Sequence, residues 1–335
     1  MRELVENAVP IIRSALGPNL PAASLGVVDR SGNRYTVAMG ESQVEPEQRL
    51  LTTDCFFDLA SLTKVLFTLP EVMKLVEDGL VDLDDPLQTY LPEAGWLSKE
   101  RPLERVTVRQ LLAHQSGLPA WAPVYTWGND PATLKARLLQ EPWPLDEPVY
   151  SDVGYMLLGI LLERLRDRKL AEFALPAGLT FTPDPKRTAA TERCPWRGRV
   201  LVGEVHDENA YALGGVAGHA GLFGTLDGVL DRAQAWLTGK ALSPAALAAV
   251  LEPQSEERLL GWVRRHPGWS GGSLASPDAY GHTGFTGTGV WIDPQRGYAW
   301  ALLTNRVHPS RHRENPLPKL RRDVGNAIAA AWRPA

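Results

Sequence analysis

The β-rich segments of this 335-residue chain lie near its two ends, and most of its helical patterns lie between them. Two β-rich runs lie within residues 23–42 and are separated by a hairpin signal at 29–33. Two more lie within residues 281–305 and are joined by a turn at 293–297. This order indicates one sheet built from both ends of the chain, with a helical lobe inserted.

Apolar residues spaced three and four positions apart predict the helices. One helix is expected to begin near Ser61 and to end near Gly79, with Pro70 bending or interrupting it. Segment 152–168 is predicted to be a long amphipathic helix. The other predicted helices cover residues 1–16, 106–117, 226–237 and 318–332.

The length of the chain suits one large domain with two lobes, or two domains, because one simple core rarely serves so many residues. We predict an α/β protein of the α+β type. Its α/β lobe is expected to comprise residues 1–80 and 215–335, and its helical lobe residues 81–214.

Composition and charge argue against several functions. A net charge of −4 with scattered Lys and Arg gives no reason to expect nucleic acid or an anionic membrane as partner. No apolar run approaches the roughly 20 residues that span a bilayer. The N-terminal segment mixes acids with apolar residues, unlike a signal peptide, so a cytoplasmic location is expected. Cys55 and Cys194 are expected to be buried thiols.

Ser61 and Lys64 lie three residues apart at the predicted start of a helix, and therefore on one face of it. A serine hydroxyl is a poor nucleophile until a base takes its proton, and a desolvated, neutral lysine amine can act as that base. The Ser61 amide, at the helix N-terminus, would be free to face an oxyanion. Taken alone, the pair is better explained as a helix N-cap with a solvated lysine.

Two later motifs reverse that judgement. Residues 150–152 (Tyr-Ser-Asp) precede the long helix, and a tyrosine oxygen beside a lysine can relay protons between nucleophile and leaving group. Residues 282–284 (His-Thr-Gly) open a β-rich run whose edge would bind an extended substrate through main-chain hydrogen bonds. The Phe285 amide would supply a second oxyanion donor. The glycines at 284 and 287 would let the backbone approach a ligand.

The motifs S-x-x-K, Y-x-[ND] and [KH]-T-G, in this order, are the signature of the penicillin-recognising serine hydrolases. The chain resembles that family over about residues 50–310. The family includes class C β-lactamases, D-Ala-D-Ala carboxypeptidases and related esterases, and the C-terminal stretch is especially similar to a bacterial subgroup linked to cell-wall amidases and muropeptide recycling. The resemblance implies a β-lactamase-like fold, with helices flanking an antiparallel sheet and a mostly helical lobe inserted. The likeness is carried by residues 111–119, 150–163, 214–237 and 281–311.

The resemblance also implies a role for each matching residue. Ser61 would be the acylated nucleophile, and Lys64 its base or proton relay. Tyr150 would share the relay and protonate the leaving group, while the backbone amides of Ser61 and Phe285 would form the oxyanion hole. The implied substrate-binding residues are Asp152, His282, Thr283 and Gly284.

Two positions depart from the family pattern. Asp152 stands where an amide is commoner, and a carboxylate cannot donate to a substrate carbonyl but can hold Lys64 charged. His282 replaces a lysine, which weakens any fixed positive charge for a substrate carboxylate. Both changes make efficient β-lactamase activity less expected.

Rival motifs are better explained as structural features. Residues 268–272 match the nucleophile elbow G-x-S-x-G, but their neighbours predict a loop instead of the required strand and helix. The acids within 82–85 lack the Ca²⁺-loop pattern and are expected to form a solvated turn. Some histidines resemble metal ligands without a diagnostic spacing, so structural or substrate-lining roles are favoured for His206, His219, His308 and His312.

The middle of the chain is rich in tryptophan. Of the 11 tryptophans, Trp121, Trp127 and Trp143 fall in its loop-rich part; most are expected to pack in the core, and one or two to wall a cleft. His114 and Ser116 follow a short helix and are expected to cap and pack. Cys55, close before the first motif, is better explained as a small buried residue than as a second nucleophile.

The favoured hypothesis is a cofactor-free serine hydrolase that forms an acyl-enzyme on an amide or ester, such as a cell-wall peptide or a muropeptide. One alternative is a penicillin-binding or sensing module of the same fold that does not turn over, which Asp152 and His282 motivate. Another is a promiscuous carboxylesterase with weak β-lactamase activity. A metal-dependent hydrolase ranks last. The expected partner is a small-molecule or peptide substrate, and the oligomeric state stays open.

Overall fold

The computed structural model describes residues 1–97 and 102–333 of the chain. Within those residues it contains twelve strands, many of them short. They are β1 (Ala22–Asp29), β2 (Arg34–Gln43), β3 (Arg49–Leu50), β4 (Phe57–Asp58), β5 (Leu179–Thr180), β6 (Arg193–Cys194), β7 (Arg199–Val200), β8 (Phe223–Gly224), β9 (Val263–Arg264), β10 (Tyr280–Thr283), β11 (Gly289–Asp293) and β12 (Tyr298–Thr304).

The main sheet of the described chain has seven strands in the order β3-β2-β1-β12-β11-β10-β9, and every neighbouring pair is antiparallel. Its centre joins the two ends of the chain, because β1 pairs with β12. In this register Leu25 lies opposite Leu302, and Val27 lies opposite Trp300. The predicted antiparallel sheet built from both ends is therefore confirmed.

Helices cover both faces of this sheet and fill the segment between its two halves. Within the described residues they are α1 (Arg2–Ala15), α2 (Leu69–Glu77), α3 (Val108–Leu112), α4 (Pro131–Gln140), α5 (Asp152–Arg166), α6 (Glu208–Ala212), α7 (Leu226–Leu237), α8 (Pro244–Leu251) and α9 (Leu317–Ala331), together with short 3₁₀ turns.

The side chains of the central strands alternate between two hydrophobic clusters, as the twofold period of a strand requires. Leu25 and Val27 of β1 pack with α1 and α9, whereas Val28 packs on the face covered by α7. A glycine lies where α7 approaches β1: a Cβ at Gly26 would lie 2.7 Å from Leu230 Cδ1, so the Leu230 side chain would have to move. Two covered faces explain why these central strands are almost wholly buried.

The helix that follows Ser61 contains a wider turn than predicted. The chain becomes helical at Leu62, and a π-helical segment, Lys64–Thr68, runs directly into α2. Pro70 has no N–H to donate, and the π-helical segment before it lets the helix continue without a break. Gly79, at φ +69°, follows the end of α2, so the predicted C-terminal glycine is confirmed.

The helix predicted to stop at Gly117 is shorter in the structure. α3 ends at Leu112, because His114 takes a φ of +57° and turns the chain out of the helix. The structure therefore corrects the end of this element by five residues.

The long central helix α5 is buried more completely than an amphipathic helix would be. Ser151 caps its start, where Oγ accepts a hydrogen bond from the Gly154 N–H at 3.1 Å. Residues 153–162 are all buried, and only Asp152 at the start and the last turn reach solvent. The predicted helix is confirmed, but it runs through the core and not along a surface.

One hydrophobic cluster runs through both predicted lobes, from Val28 and Leu303 of the sheet to Leu111 and Leu157 of the helical segment. The lobe boundaries near residues 80 and 215 stay a prediction. No helix in the described ranges combines the length and the apolar character needed to cross a bilayer.

Both cysteines, Cys55 and Cys194, are buried free thiols, as predicted. Burial raises the pKa of Cys55 to about 12. The Cys55 thiol is therefore protonated at neutral pH and is not a second nucleophile.

Candidate active site

A strained turn places Ser61 at the start of its helix. Ala60, directly before it, has a φ of +46°, which residues other than glycine seldom adopt. The buried Asp58 carboxylate holds this turn, accepting from the Ala60 N–H at 2.8 Å and from the His206 N–H at 2.6 Å. Burial raises the pKa of Asp58, although these amide donors oppose the rise. Ser61 is thereby presented, half-buried, at the wall of a cavity.

Lys64 is fully buried, and its side-chain nitrogen lies among several oxygen atoms. Nζ lies 3.0 Å from Ser61 Oγ, 2.7 Å from Asp152 Oδ1 and 3.2 Å from the carbonyl oxygen of His219. Burial disfavours the charge, but the Asp152 carboxylate and the Tyr150 oxygen outweigh it and raise the pKa of Lys64. Lys64 therefore rests as an ammonium ion, and the neutral amine expected from desolvation alone is not its resting state.

Tyr150 is surrounded by ring and cation contacts. Lys64 Nζ lies 5.0 Å from the centroid of its ring, and the Arg258 guanidinium carbon lies 5.4 Å from it. The ring centroids of His114 and His282 are 4.3 and 5.9 Å away. The structure thus gathers Ser61, Lys64 and Tyr150, the residues predicted to be catalytic, at one end of the cavity.

His114 packs against the ring of Tyr150. Its Nδ1 accepts a hydrogen bond from the Ser151 N–H at 3.0 Å, which assigns the proton to Nε2, and its ring also stacks on Tyr155. Burial and the nearby Lys64 hold the pKa of His114 well below its ordinary value, so the ring is neutral. Ser116 accepts from the Leu118 N–H at 3.3 Å. The predicted packing is therefore confirmed for His114, whereas Ser116 holds a turn and Ala113 is the C-terminal cap of α3.

The end of β10 carries His282 and Thr283 at the cavity wall. On its outer side β9 pairs only with Tyr280 and Gly281, so within the described chain no strand covers the edge beyond them. A substrate in extended conformation has an open strand edge to pair with there.

His282 itself is neutral. It is buried, and burial followed by the charge of Lys64 holds its pKa well below the ordinary value. Its Nδ1 makes no hydrogen bond within the described residues. The positive charge that a lysine would supply at this position is absent, as the sequence predicted.

Gly284 packs closely against other parts of the chain. A Cβ there would lie 2.2 Å from Thr288 Oγ1 and 2.5 Å from the carbonyl oxygen of Leu59, so Gly284 lies under the turn that precedes Ser61. This close approach is made by the chain itself, and the approach of a ligand to Gly284 stays a prediction. Gly287, at φ +116°, is likewise pressed against Thr304, 2.1 Å from where its Cβ would lie.

Two arginines fix the loop that bears the Phe285 amide. Arg306 donates to the Phe285 carbonyl oxygen at 3.2 Å, and the buried Arg321 donates to the carbonyl oxygens of Gly284 at 3.3 Å and Thr288 at 2.7 Å. Neither the Ser61 nor the Phe285 amide is used in a backbone hydrogen bond within the described chain. Both residues line the cavity, so both donors are free where an oxyanion hole was predicted.

The cavity has a volume of about 600 Å³, and one part of its wall is built from histidines and acids. His219 Nε2 lies 2.8 Å from Asp207 Oδ1, and His206 Nε2 lies 3.1 Å from Glu192 Oε2. Arg311 joins this network through Glu192 at 2.6 Å. Burial opposes the charge of Glu192, but His206 and then Arg311 lower its pKa to about 2.

Sequence reasoning missed two residues of this site. Asp58 left a readable signal, since an aspartate that accepts from the amide two residues on is a common turn device. Arg258 left none, because it lies in a loop whose sequence has no recognisable motif. It lines the cavity, and its Nη1 is buried without a hydrogen-bond partner in the described chain.

The rival motifs take the structural roles predicted for them. Residues 268–272 form a loop, with Trp269 buried and the Ser270 hydroxyl accepting from Trp291 Nε1 at 3.1 Å. Asp84 and Asp85 lie in a turn. Of the histidines, His206 and His219 line the cavity, His312 is exposed, and His308 is buried between the Val44 amide and the Thr191 carbonyl.

The three tryptophans of the middle segment divide as expected. Trp143 is buried, and Trp127 packs against the core. Trp121 is half exposed and lines the cavity, so one of them does wall a cleft.

Comparison with known proteins agrees with this geometry. The Beta-lactamase family model matches residues 10–322. A protein of Bacillus subtilis (strain 168) named N-acetylmuramyl-L-alanine amidase is 33% identical, over 84% of this chain and 75% of its own length. A putative D-alanyl-D-alanine carboxypeptidase of Salmonella agona is also 33% identical, over 77% of this chain and 71% of its own.

The fold is shared more widely than the sequence. Simvastatin synthase of Aspergillus terreus superposes with a TM-score of 0.76 over 99% of both chains, at 21% identity. The sequence resemblance noted above is therefore confirmed, and the chain belongs to the beta-lactamase family, as a hydrolase with the fold and the sequence pattern of that family.

Proposed function

We propose that this hydrolase cleaves an amide or ester bond through an acyl-enzyme formed on Ser61. The observation that carries the proposal is the 3.0 Å contact between Ser61 Oγ and Nζ of the buried Lys64, at the wall of a cavity. A hydroxyl held against a proton-transferring group, and presented on a strained turn, has the arrangement of an activated nucleophile.

The resting charge of Lys64 shapes the proton path. As an ammonium ion it cannot accept the Ser61 proton unless it gives one up at the same time. We assign the receiving group as the Tyr150 oxygen, which passes a proton to the leaving group. The Ser61 proton then replaces the one that Lys64 has lost. Attack of water on the acyl-enzyme uses the same relay in reverse, and the amides of Ser61 and Phe285 stabilise the oxyanion in both steps.

The proposed substrate class is an N-acetylmuramyl peptide. The relatives named as amidase and carboxypeptidase support it, since both names describe bonds of cell-wall peptides. The cavity volume of about 600 Å³ is within the range of sites that hold molecules of that size. Its charged groups support it as well, because Arg258 lines the cavity and supplies a cation for a peptide carboxylate.

The cavity is lined by residues from both of the predicted lobes. Ser61 and His282 come from the predicted α/β lobe, whereas Tyr150 and His206 come from the predicted helical lobe, residues 81–214. All four line the cavity, so the substrate would bind where the two lobes meet.

The test measures release of the peptide from N-acetylmuramyl-L-alanyl-D-isoglutamine, and of p-nitrophenol from p-nitrophenyl acetate. Ser61→Ala is expected to lower both rates at least ~10³-fold. Ser270→Ala is the matched control, because that serine lines the same cavity and matches a rival motif. Normal turnover by Ser61→Ala would overturn the proposal.

A second candidate is a penicillin-binding module of the same fold that becomes acylated but does not turn over. The observation that favours it is the Lys64–Asp152 ion pair, which holds the proton relay in its charged form. Intact-protein mass spectrometry after incubation with a labelled penicillin separates the two candidates. A stable adduct on Ser61, with no release of either product in the turnover assay, identifies the binding module.

A further inference from the structure

Four aromatic side chains form a row that leads away from the cavity holding Ser61. The row consists of Trp121, Tyr125, Trp196 and Tyr211, and Trp121 lines that cavity. Successive ring centroids are 6.4, 5.1 and 5.7 Å apart. Each ring therefore touches or nearly touches the next.

The row is unusually exposed for its residue types. Trp121 is 50% exposed, Trp196 49% and Tyr211 37%. Large apolar side chains left open to water as a contiguous patch mark a binding surface far more often than an isolated exposed residue does. The position of the row beside the catalytic cavity links it to the substrate of that cavity.

The structure holds the row in place with buried polar side chains. Asn209 donates from Nδ2 to the Ala122 carbonyl at 2.9 Å and accepts at Oδ1 from the Tyr125 N–H at 3.0 Å. This pair of bonds fixes the segment between Trp121 and Tyr125. A binding surface fixed before the ligand arrives loses less conformational freedom on binding.

A buried arginine holds the other half of the row. Arg197 donates to the carbonyl oxygens of Val205 at 2.6 Å and His206 at 2.9 Å. Its guanidinium carbon lies 4.3 Å from the Tyr211 ring centroid and 5.5 Å from that of Trp196. The same arginine therefore fixes two rings of the row and the backbone of His206, a residue of the catalytic cavity.

A second cavity, of about 280 Å³, opens along the row. Tyr125, Trp196 and Tyr211 line it, with Asn129 as a polar neighbour, and no charged side chain contributes to its described lining. A neutral ligand with a flat apolar face and polar edges fits such walls, whereas a peptide carboxylate or ammonium would lose hydration without gaining a partner.

We propose that this row is a saccharide-binding subsite for the glycan part of the substrate that Ser61 cleaves. A pyranose ring presents a face of C–H groups that lies flat on an indole or phenol ring, and its hydroxyl and acetamido groups point outward to polar neighbours. The inference rests on the proposed function for its link to cleavage, and on the row and its cavity for the ligand class.

The first experiment measures binding without catalysis. Isothermal titration calorimetry compares the disaccharide of N-acetylglucosamine and N-acetylmuramic acid, with its lactyl carboxyl group capped as the neutral methylamide, with a sugar-free peptide, N-acetyl-L-alanyl-D-isoglutamine. Trp196→Ala and Tyr211→Ala are each expected to weaken disaccharide binding roughly 3- to 10-fold. Trp196→Phe should recover part of the loss. Trp96→Ala is the matched control, because Trp96 is a 61% exposed tryptophan outside the row.

The second experiment measures turnover by the same variants. Trp196→Ala is expected to raise KM for the disaccharide-bearing peptide by the same factor, with kcat and the hydrolysis of p-nitrophenyl acetate unchanged. The inference is overturned if the wild-type protein does not bind the disaccharide, if Trp96→Ala weakens binding as much, or if only peptide binding responds. Because the binding arm needs no cleavable bond, it gives a result even if Ser61→Ala shows that the proposed chemistry is wrong.

Discussion

Replacing Asp152 with asparagine tests the reasoning about the buried ion pair most directly. The change keeps the shape of the side chain and removes the charge that lies 2.7 Å from Lys64 Nζ. Removing one partner of a buried pair leaves an uncompensated charge, which typically costs about 3–5 kcal/mol. The Lys64 side chain is fully buried and that of Asp152 is 20% exposed, so solvent screens the pair little.

The lysine has one way to limit this loss, which is to release its proton. The release costs about 1.4 kcal/mol for each pH unit by which the solution lies below the ordinary lysine pKa of about 10.4. At pH 7 the total cost is about 4.6 kcal/mol. The smaller of the two costs applies, so Asp152→Asn is expected to lower the free energy of unfolding by about 3–4.5 kcal/mol at neutral pH.

The dependence on pH follows from the sign of each pKa shift. In the wild-type protein the raised pKa of Lys64 gives stability that is fully present below about pH 10.4 and is lost only as the pH rises through the folded value. In Asp152→Asn the burial of Lys64 is unopposed by that carboxylate, and the folded pKa falls below the ordinary value. The unfolded variant then binds more protons, so the variant becomes more stable as the pH rises. The deficit should therefore shrink between pH 7 and pH 10.

Urea unfolding followed by tryptophan fluorescence at pH 7, 8, 9 and 10 measures this deficit. The double variant Lys64→Met with Asp152→Asn should recover much of the loss, because no buried charge remains. Asp231→Asn, which breaks an exposed pair with Arg34, is the control and should cost less than about 1 kcal/mol. An Asp152→Asn variant as stable as the wild type at pH 7, or a deficit that does not change with pH, would refute the argument.

Three further substitutions probe other parts of the site. Gly284→Ala places a Cβ 2.5 Å from the Leu59 carbonyl, so we expect a loss of about 1–3 kcal/mol in urea unfolding and a lower kcat as the turn before Ser61 shifts. Asp58→Asn keeps an acceptor for the Ala60 amide but turns a donor toward the other amide that this carboxylate serves, which should cost about 1–3 kcal/mol in the same assay. Arg258→Met should change the free energy of unfolding by less than about 0.5 kcal/mol. It should raise KM for a carboxylate-bearing substrate, and this rise should be about 10- to 100-fold larger than the rise in KM for the amide of the same substrate.

Each of these three predictions has its own contrary result. Unchanged stability of Gly284→Ala would mean that the loop around Gly284 moves to accept a Cβ at little cost in free energy. An Asp58→Asn variant as stable as the wild type in urea unfolding would remove Asp58 from the support of the Ser61 turn. An equal rise in KM for the carboxylate substrate and for its amide would show that Arg258 acts on the cavity as a whole and not on a substrate charge.

Local patterns predicted the elements well where one residue type decides the backbone. The hairpin at Asp29–Asn33, the start of α5 at Asp152 and the glycine after α2 each depend on neighbours within a few positions. The end of α3 was missed, since His114 adopts a left-handed conformation that its own sequence gives no reason to expect. The burial of α5 on all sides was missed for a related reason, because it depends on what surrounds the helix.

The sequence by itself determined which residues meet at the candidate site. Ser61 and Lys64 are brought together by the helical repeat, and the ordered motifs around Tyr150 and His282 supplied the rest. Only the tertiary structure decided the state of those residues. The charge of Lys64 depends on Asp152, and the aromatic row depends on rings from three separate segments. Electrostatic energy and packing are set by distances in space, and separation along a chain does not encode such distances.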